Sequence, residues 1–363
     1  MDKIRVFVVD DSSVVRRIVT DELAAQPDLE VAGTAENGRV AVERIGQVAP
    51  DLIILDIEMP EMDGLTALTH LRHSHPRTPV IMFSALTELG AAATLDALSR
   101  GASDFFAKPQ GTGSLEASRQ IIRSELIPAI RALGRRPAAA VAAPRVRTTA
   151  PLAPLPAAGS GPAPSPAPAA RIDVVAIGTS TGGPNALAEL FAVLPPRLPV
   201  PLLIVQHMPP MFTRMLAERL TKNSPIPTAE AQSGLELEPG RAWIAPGDYH
   251  LVVVRDGAVP RLQVQQDPPE NACRPAVDPL LRSVAQVYGP HCLAVILTGM
   301  GQDGLRGCQA VRAAGGQVLA QDEATSVVWG MPGAVARAGI ADRVLPLPML
   351  PHEIVRRVKH GRG

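Results

Sequence analysis

VVAIGTSTGGPNALAELFAVL, residues 174–194, runs from an apolar stretch through a glycine-rich turn into a segment with helical spacing. Strand, turn and helix in that order form the repeating unit of a parallel α/β sheet, so this stretch sets the fold class of the second half of the chain. The turn itself, IGTSTGGP, has two possible uses: cradling a phosphate, or holding a nucleophilic serine on a sharp bend. A dinucleotide fingerprint requires G-x-G-x-x-G, whereas the spacing from Gly178 is G-x-x-x-G-G. A P-loop ends in G-K-[ST], whereas Gly183 is followed by Pro184. Gly178, Ser180 and Gly182 do form G-x-S-x-G, with Pro184 near the helix start, where a missing N–H costs nothing. The glycines relieve crowding at a strained turn and leave the serine hydroxyl at a helix N-terminus, where developing negative charge is favoured.

A serine nucleophile needs a base, and the base needs an orienting carboxylate. The next apolar run, PLLIVQ, ends in His207, and LAVILT runs into GMGQDG, which presents Asp303. Ser180, His207 and Asp303 are therefore expected together at the carboxyl ends of parallel strands. The order Ser, His, Asp differs from that of the α/β-hydrolases. His250 and His291 begin strands instead of ending them, which points to structural or rim roles. Asp278 before Pro279 reads as a helix N-cap, and Cys273, Cys292 and Cys308 read as packing residues. Asp322 and Glu323, at the end of another strand, are candidates to line the site, with a solvated turn as the default reading.

Outward from this stretch, QVLAQ continues the alternation, while YHLVVVRD and PRLQVQ, with WIAP before them, suggest a small antiparallel portion. The runs IRVFVV, LEVAGT, DLIILD, TPVIMF and SDFFA alternate with helical patterns in the first 133 residues. One of these is SVVRRIVTDELAAQ, with Val14, Val15, Ile18, Val19 and Leu23 on one face. Between the halves, residues 134–170 hold nine prolines and no acidic side chain and are expected to be a linker of polyproline character. The fold class is thus α/β, with two doubly wound parallel-sheet domains, 1–133 and 171–363. The 35 basic and 35 acidic side chains set up no global field for nucleic acid, and aromatics are only 3%. Three cysteines without a C-x-x-C pair fit a reducing cytoplasm. No signal peptide or membrane span is expected.

In doubly wound sheets, ligands sit beyond the carboxyl ends of the strands. Those ends carry Asp10 and Asp11, Asp56, Ser84 and Lys108. Three acids repel one another unless a cation compensates, and an all-oxygen set suits Mg²⁺. A carboxylate between Mg²⁺ and a lysine can attack a phosphoryl donor. VVDDS, LDIEMPEMDG, MFSA and DFFAKP together resemble the receiver domain of two-component response regulators, which has a flavodoxin-like fold. The resemblance implies Asp56 as phosphoacceptor, with Asp10, Asp11 and Asp56 at Mg²⁺. It also implies Ser84 and Lys108 as phosphoryl contacts, Phe105 as the aromatic switch, a cis Lys108–Pro109 bond and a histidine kinase as phosphodonor.

IGTSTGG, QHMP, APGDYHL, RPAVDPLLRSVA, LTGMGQDG and SVVWGMPGAV resemble the Rossmann-like catalytic domain of chemotaxis protein-glutamate methylesterases. That resemblance implies a cytoplasmic, monomeric enzyme that hydrolyses glutamate methyl esters of chemoreceptors and deamidates certain receptor glutamines. It further implies an oxyanion hole from the backbone N–H groups of Thr181 and Met300, and no cofactor for the esterase reaction. A DNA-binding output would need a basic recognition helix, but residues 171–363 hold 18 basic and 16 acidic side chains with no helix-turn-helix pattern.

Overall fold

Two α/β layers are built in series. The structure, a computed structural model, describes residues 3–85, 87–108, 115–134 and 171–362. Most of the expected linker and Pro109 of the expected cis bond lie outside the described residues.

The first domain has strands β1 (Ile4–Val9), β2 (Leu29–Ala35), β3 (Leu52–Asp56), β4 (Val80–Ser84) and β5 (Asp104–Ala107) in the parallel order β2-β1-β3-β4-β5. β3 and β4 are buried at every residue, as expected of strands covered by helices on both faces. The helices are α1 (Ser13–Ala24), α2 (Gly38–Val48), α3 (Gly64–Ser74) and α4 (Glu88–Ser99). A final helix runs as α5 (Leu115–Ile121), a π-helical turn at Ile122–Leu126, and α6 (Ile127–Gly134). Polar caps start the first four: Ser12, Asn37, Asp63 and Thr87 each accept a backbone N–H from the first turn. Gly134 closes α6, so the first residue of the expected linker still belongs to a helix.

The second domain contains β6 (Val174–Thr179), β7 (Leu202–Gln206), β8 (Thr228–Glu230), β9 (Ala242–Ile244), β12 (Cys292–Ile296), β13 (Gln317–Gln321) and β14 (Arg343–Leu345). They form one parallel sheet ordered β14-β13-β12-β6-β7-β9-β8. β10 (His250–Asp256) and β11 (Val259–Gln265) form a separate antiparallel hairpin. The expectation for WIAP is corrected: its strand joins the parallel sheet beside β7 and only the following two runs are antiparallel. The helices are α7 (Gly183–Val193), α8 (Phe212–Asn223), α9 (Val277–Tyr288), α10 (Leu305–Ala313), α11 (Met331–Arg337) and α12 (Leu350–Lys359).

The order reverses at β6, which has β12 on one side and β7 on the other. In such a sheet the crevice at the switch point receives the ligand, and here it is bordered by the residues after β6, β7 and β12.

Candidate active site and phosphoacceptor pocket

Ser180 follows β6 directly, and its N–H donates to Thr298 O at 3.0 Å, tying the bend to the loop after β12. Gly182 caps α7 with φ +76°, a left-handed conformation in which glycine is unstrained. Gly299 shows why the second loop is glycine-rich. A Cβ there would lie 2.9 Å from Ser180 Cβ and 3.1 Å from Ser180 N, so only a residue without a side chain lets the two loops meet. Gln206, the last residue of β7, donates its amide to Ser180 O at 3.0 Å and to His207 O at 3.2 Å, locking the two strand ends together.

His207 Nε2 lies 2.8 Å from Asp303 Oδ2. Four more donors hold the same carboxylate. Val277 N approaches Oδ2 at 2.6 Å, while Asp278 N, Gly304 N and Asn271 Nδ2 approach Oδ1 at 3.1, 2.9 and 2.8 Å. Two of these N–H groups open α9, so the helix N-terminus faces the anion. Burial works against the Asp303 charge, but His207 and these backbone donors hold its carboxyl below the usual range. Burial also disfavours the His207 cation, yet the Asp303 carboxylate and the Cys273 sulfur outweigh it and raise the imidazole to about 10.

The structure thus brings Ser180, His207 and Asp303 to adjacent strand ends. Thr181 is buried after Ser180, and Thr298 Oγ1 donates to Thr181 O at 2.9 Å. Met300 lies in the loop after β12 and lines a cleft of about 420 Å³ together with Ala132, Val327 and Trp329.

Two sequence readings need correction. Cys273 is not a packing residue: it is half-buried, with Sγ 3.4 Å from His207 Nδ1. Asp278 is not an N-cap: Ala276 occupies that position, and the Asp278 carboxylate accepts from Gly307 N at 2.6 Å and Asn271 Nδ2 at 3.0 Å. The helix begins two residues early because Asp303 serves its first N–H groups, leaving Asp278 free to tie α9 to α10. His250 is buried and structural, bonded to Ala276 N and Pro268 O, and His291 is exposed, as expected. Cys292 and Cys308 are buried, with thiols pushed up by burial.

In the first domain, carboxylate oxygens of Asp10, Asp11 and Asp56 lie within 4.8 Å of one another. Lys108 Nζ bridges Asp10 and Asp56 at 2.8 and 2.6 Å. Burial raises the Asp56 carboxyl to about 6, with Lys108 pulling it down and Asp10 pushing it up. Two buried acids and one exposed acid sharing a single lysine leave net negative charge at an all-oxygen cluster, which fits Mg²⁺. Ser84 Oγ donates to Ala85 O and Gly90 O, both at 3.2 Å.

The two domains touch beside Ser180. Phe105 stacks on Phe212, with ring centroids 4.9 Å apart and planes 6° from parallel. Asp104 is hydrogen-bonded by the Thr181 side chain, and burial raises its carboxyl to about 6. Asn185 Nδ2 donates to Leu98 O at 2.8 Å, Arg219 donates to Leu95 O, and Arg214 pairs with Glu88 at 2.9 Å. Val327 and Val328, from the loop before α11, pack against the first domain's apolar core.

Fold and pockets define a phosphoacceptor domain of the response-regulator type fused to an α/β domain with a serine elbow. The family model for the response regulator receiver domain matches residues 6–119, and that for CheB methylesterase matches residues 175–354. A protein-glutamate methylesterase/protein-glutamine glutaminase of Trichodesmium erythraeum is 50% identical over 99% of this chain and 100% of its own length. One from a Nocardioides species is 51% identical over 100% and 97%. The crystal structure of the Thermotoga maritima CheB methylesterase catalytic domain matches 52% of this chain and 99% of its own, with 42% identity and a TM-score of 0.50. The chain belongs to the CheB methylesterase family, with a receiver domain ahead of the catalytic domain.

Proposed function

We propose that this protein is a phosphorylation-activated hydrolase that removes methyl esters from chemoreceptor glutamates and deamidates specific receptor glutamines. Residues 1–134 are assigned to the receiver, whose last helix ends at Gly134, 135–170 to the linker and 171–363 to the catalytic domain. The observation that carries the reading is the His207–Asp303 pair at 2.8 Å beside the strand end that bears Ser180. It occurs in a chain half identical, end to end, to a protein-glutamate methylesterase/glutaminase.

In this reading Ser180 Oγ attacks the side-chain carbonyl of the methylated glutamate, and His207 takes the hydroxyl proton. With Nε2–H donated to Asp303, Nδ1 is the basic nitrogen. The Oγ–C bond forms, the C–O bond to methoxide breaks, and His207 returns the proton so that methanol leaves. Water then hydrolyses the glutamyl-enzyme by the same route, and with a glutamine substrate ammonia is the leaving group. The Thr181 and Met300 N–H groups receive the developing oxyanion.

Asp10, Asp11 and Asp56 would hold Mg²⁺, which neutralises charge on an incoming phosphoryl group. Asp56 is the acceptor, Lys108 and Ser84 contact the phosphoryl oxygens, and a histidine kinase supplies the phosphate. Asp104 and Phe105 lie against the elbow and α8, so the unphosphorylated receiver covers the site. Phosphorylation, transmitted through Ser84 and Phe105, loosens that contact. Among the described residues no helix is long and apolar enough to cross a membrane, and a monomeric enzyme working in the cytoplasm fits this reading. Methanol release from methyl-labelled receptor membranes, with and without a small-molecule phosphodonor, tests it. The expected result is release that rises with the phosphodonor, and no release in either condition would refute it.

A further inference from the structure

We infer that Asn271 is a positioning residue of the ester-cleaving site, its side-chain amide fixing the Asp303 carboxylate while holding the buried Asp278 beside it. The inference rests on the esterase reading above. Asn271 Nδ2 lies 2.8 Å from Asp303 Oδ1 and 3.0 Å from Asp278 Oδ2. Asp278 and Asp303 are 1% and 2% exposed, so neither carboxylate can turn to bulk water for its bonds. A primary amide carries two N–H donors and no charge, and so can serve both acids at once. A hydroxyl has one donor, and a third carboxylate would repel both acids.

The backbone is built to deliver this group. Asn271 and Ala272 have φ of +52° and +61°, two consecutive left-handed residues that fold the chain under the start of α9. Asparagine tolerates that region better than most side chains. The turn is pinned by a bridge between Glu270 and Cys273 and by Arg282 of α9, which bonds Glu270 at 2.9 Å. With Oδ1 occupied by Asn271 and two backbone N–H groups, the plane of the Asp303 carboxylate is set and Oδ2 is presented to His207 Nε2. Asn271 thus acts through Asp303 on the orientation of the base.

The charged and titratable groups around this amide are Asp278, Asp303, His207, Cys273, Cys308, Glu270 and Arg282. Two variants separate positioning from backbone accommodation. N271G keeps the left-handed turn and removes the amide, while N271D keeps size and shape and substitutes charge for the donors. Both would be assayed as full-length protein treated with phosphodonor, on methyl-labelled receptor membranes. N271G should lower kcat about ten- to a hundredfold, the worth of one hydrogen bond to a buried charge, with KM changed less than about twofold. N271D should lower kcat at least as much. It should also move the acid limb of the pH–rate profile upward, because added negative charge favours the His207 cation.

The rate of Ser180 labelling by a fluorophosphonate gives a readout independent of the ester substrate and should fall with kcat. Should wild type release no methanol, the esterase reading fails, and the labelling rates alone decide this inference. Equal labelling of wild type and N271G, or a wild-type kcat with an unmoved acid limb in N271D, overturns it.

Discussion

His207 is drawn two ways. Burial pushes its basicity down, and the neighbouring Asp303 carboxylate with the Cys273 sulfur raises it above the ordinary 6.5, to about 10. A raised value in the folded protein means that the pairing stabilises fully below the unfolded value of 6.5 and is lost as pH rises through about 10. The same shift governs chemistry, since only the neutral imidazole accepts a proton. The acid limb of kcat/KM is therefore expected above pH 6.5 and should move down in Asp303→Asn. An acid limb at or below 6.5 in wild type would contradict this account of the base. Ser180→Ala and His207→Ala should each reduce turnover to near background, because such residues act as a unit. Asp303→Asn should cost on the order of 10⁴ in kcat, by analogy with the serine proteases. Wild-type turnover in a folded Ser180→Ala protein would remove the nucleophile assignment. Gly299→Ala is a sharper steric test. Its Cβ would press on Ser180 Cβ at 2.9 Å and on Met331 Sδ, and only the methionine can yield. Activity should fall while the melting temperature changes by a few degrees at most, and a fully active variant would mean the two loops separate easily.

Strand ends were the most legible elements. β3, β6, β7 and β12 are uninterrupted apolar runs, so the residue where each run stops names a side chain at the sheet edge. That rule points to Asp56, Ser180 and His207 as candidates, whereas Asp303 lies further on, in the glycine-rich loop that follows β12. Asn271, Cys273 and Asp278 escape it, because they sit in or just after an irregular stretch between β11 and α9 that has no periodicity to read. The available signal there was an asparagine suited to a left-handed turn and a carboxylate in the first turn of a helix. β8 and β14 are edge strands of three residues, too short to carry a readable pattern. The phosphoacceptor pocket gives the prediction at this scale. Asp56→Asn should abolish incorporation of labelled phosphate from a small phosphodonor, and so should withdrawal of Mg²⁺. The Asp56 carboxyl sits near 6 before any cation is bound, so labelling at limiting Mg²⁺ should decline as pH falls through that value. Label retained on Asp56→Asn would show that the acceptor lies elsewhere.

The contact between the domains was the least legible feature, because Asn185, Arg214 and Arg219 look in sequence like the solvated faces of ordinary helices. In the fold they meet Leu98, Glu88 and Leu95 of α4, and Phe105 meets Phe212. Each contact is individually weak. An exposed ion pair such as Arg214–Glu88 is worth about 0–1 kcal/mol, and a ring stack about 0.5–1.5 kcal/mol beyond its buried area. Carriage on one chain compensates, since a tethered partner is held at an effective concentration near millimolar, and a change of a few kcal/mol then opens the site. Phe105→Ala should raise the unphosphorylated rate severalfold, whereas Arg214→Ala should change it less than about fivefold. The reverse ranking would place the restraint in the ion pair instead of the stack. The central claim is that the unphosphorylated receiver restrains the esterase in cis. It is tested most directly by the initial rate of methanol release from receptor membranes, comparing residues 171–363 alone with the unphosphorylated full chain at equal concentration. The fragment is expected to be faster and indifferent to phosphodonor, while the full chain rises toward it on phosphorylation. A full chain already as fast as the fragment would contradict the claim.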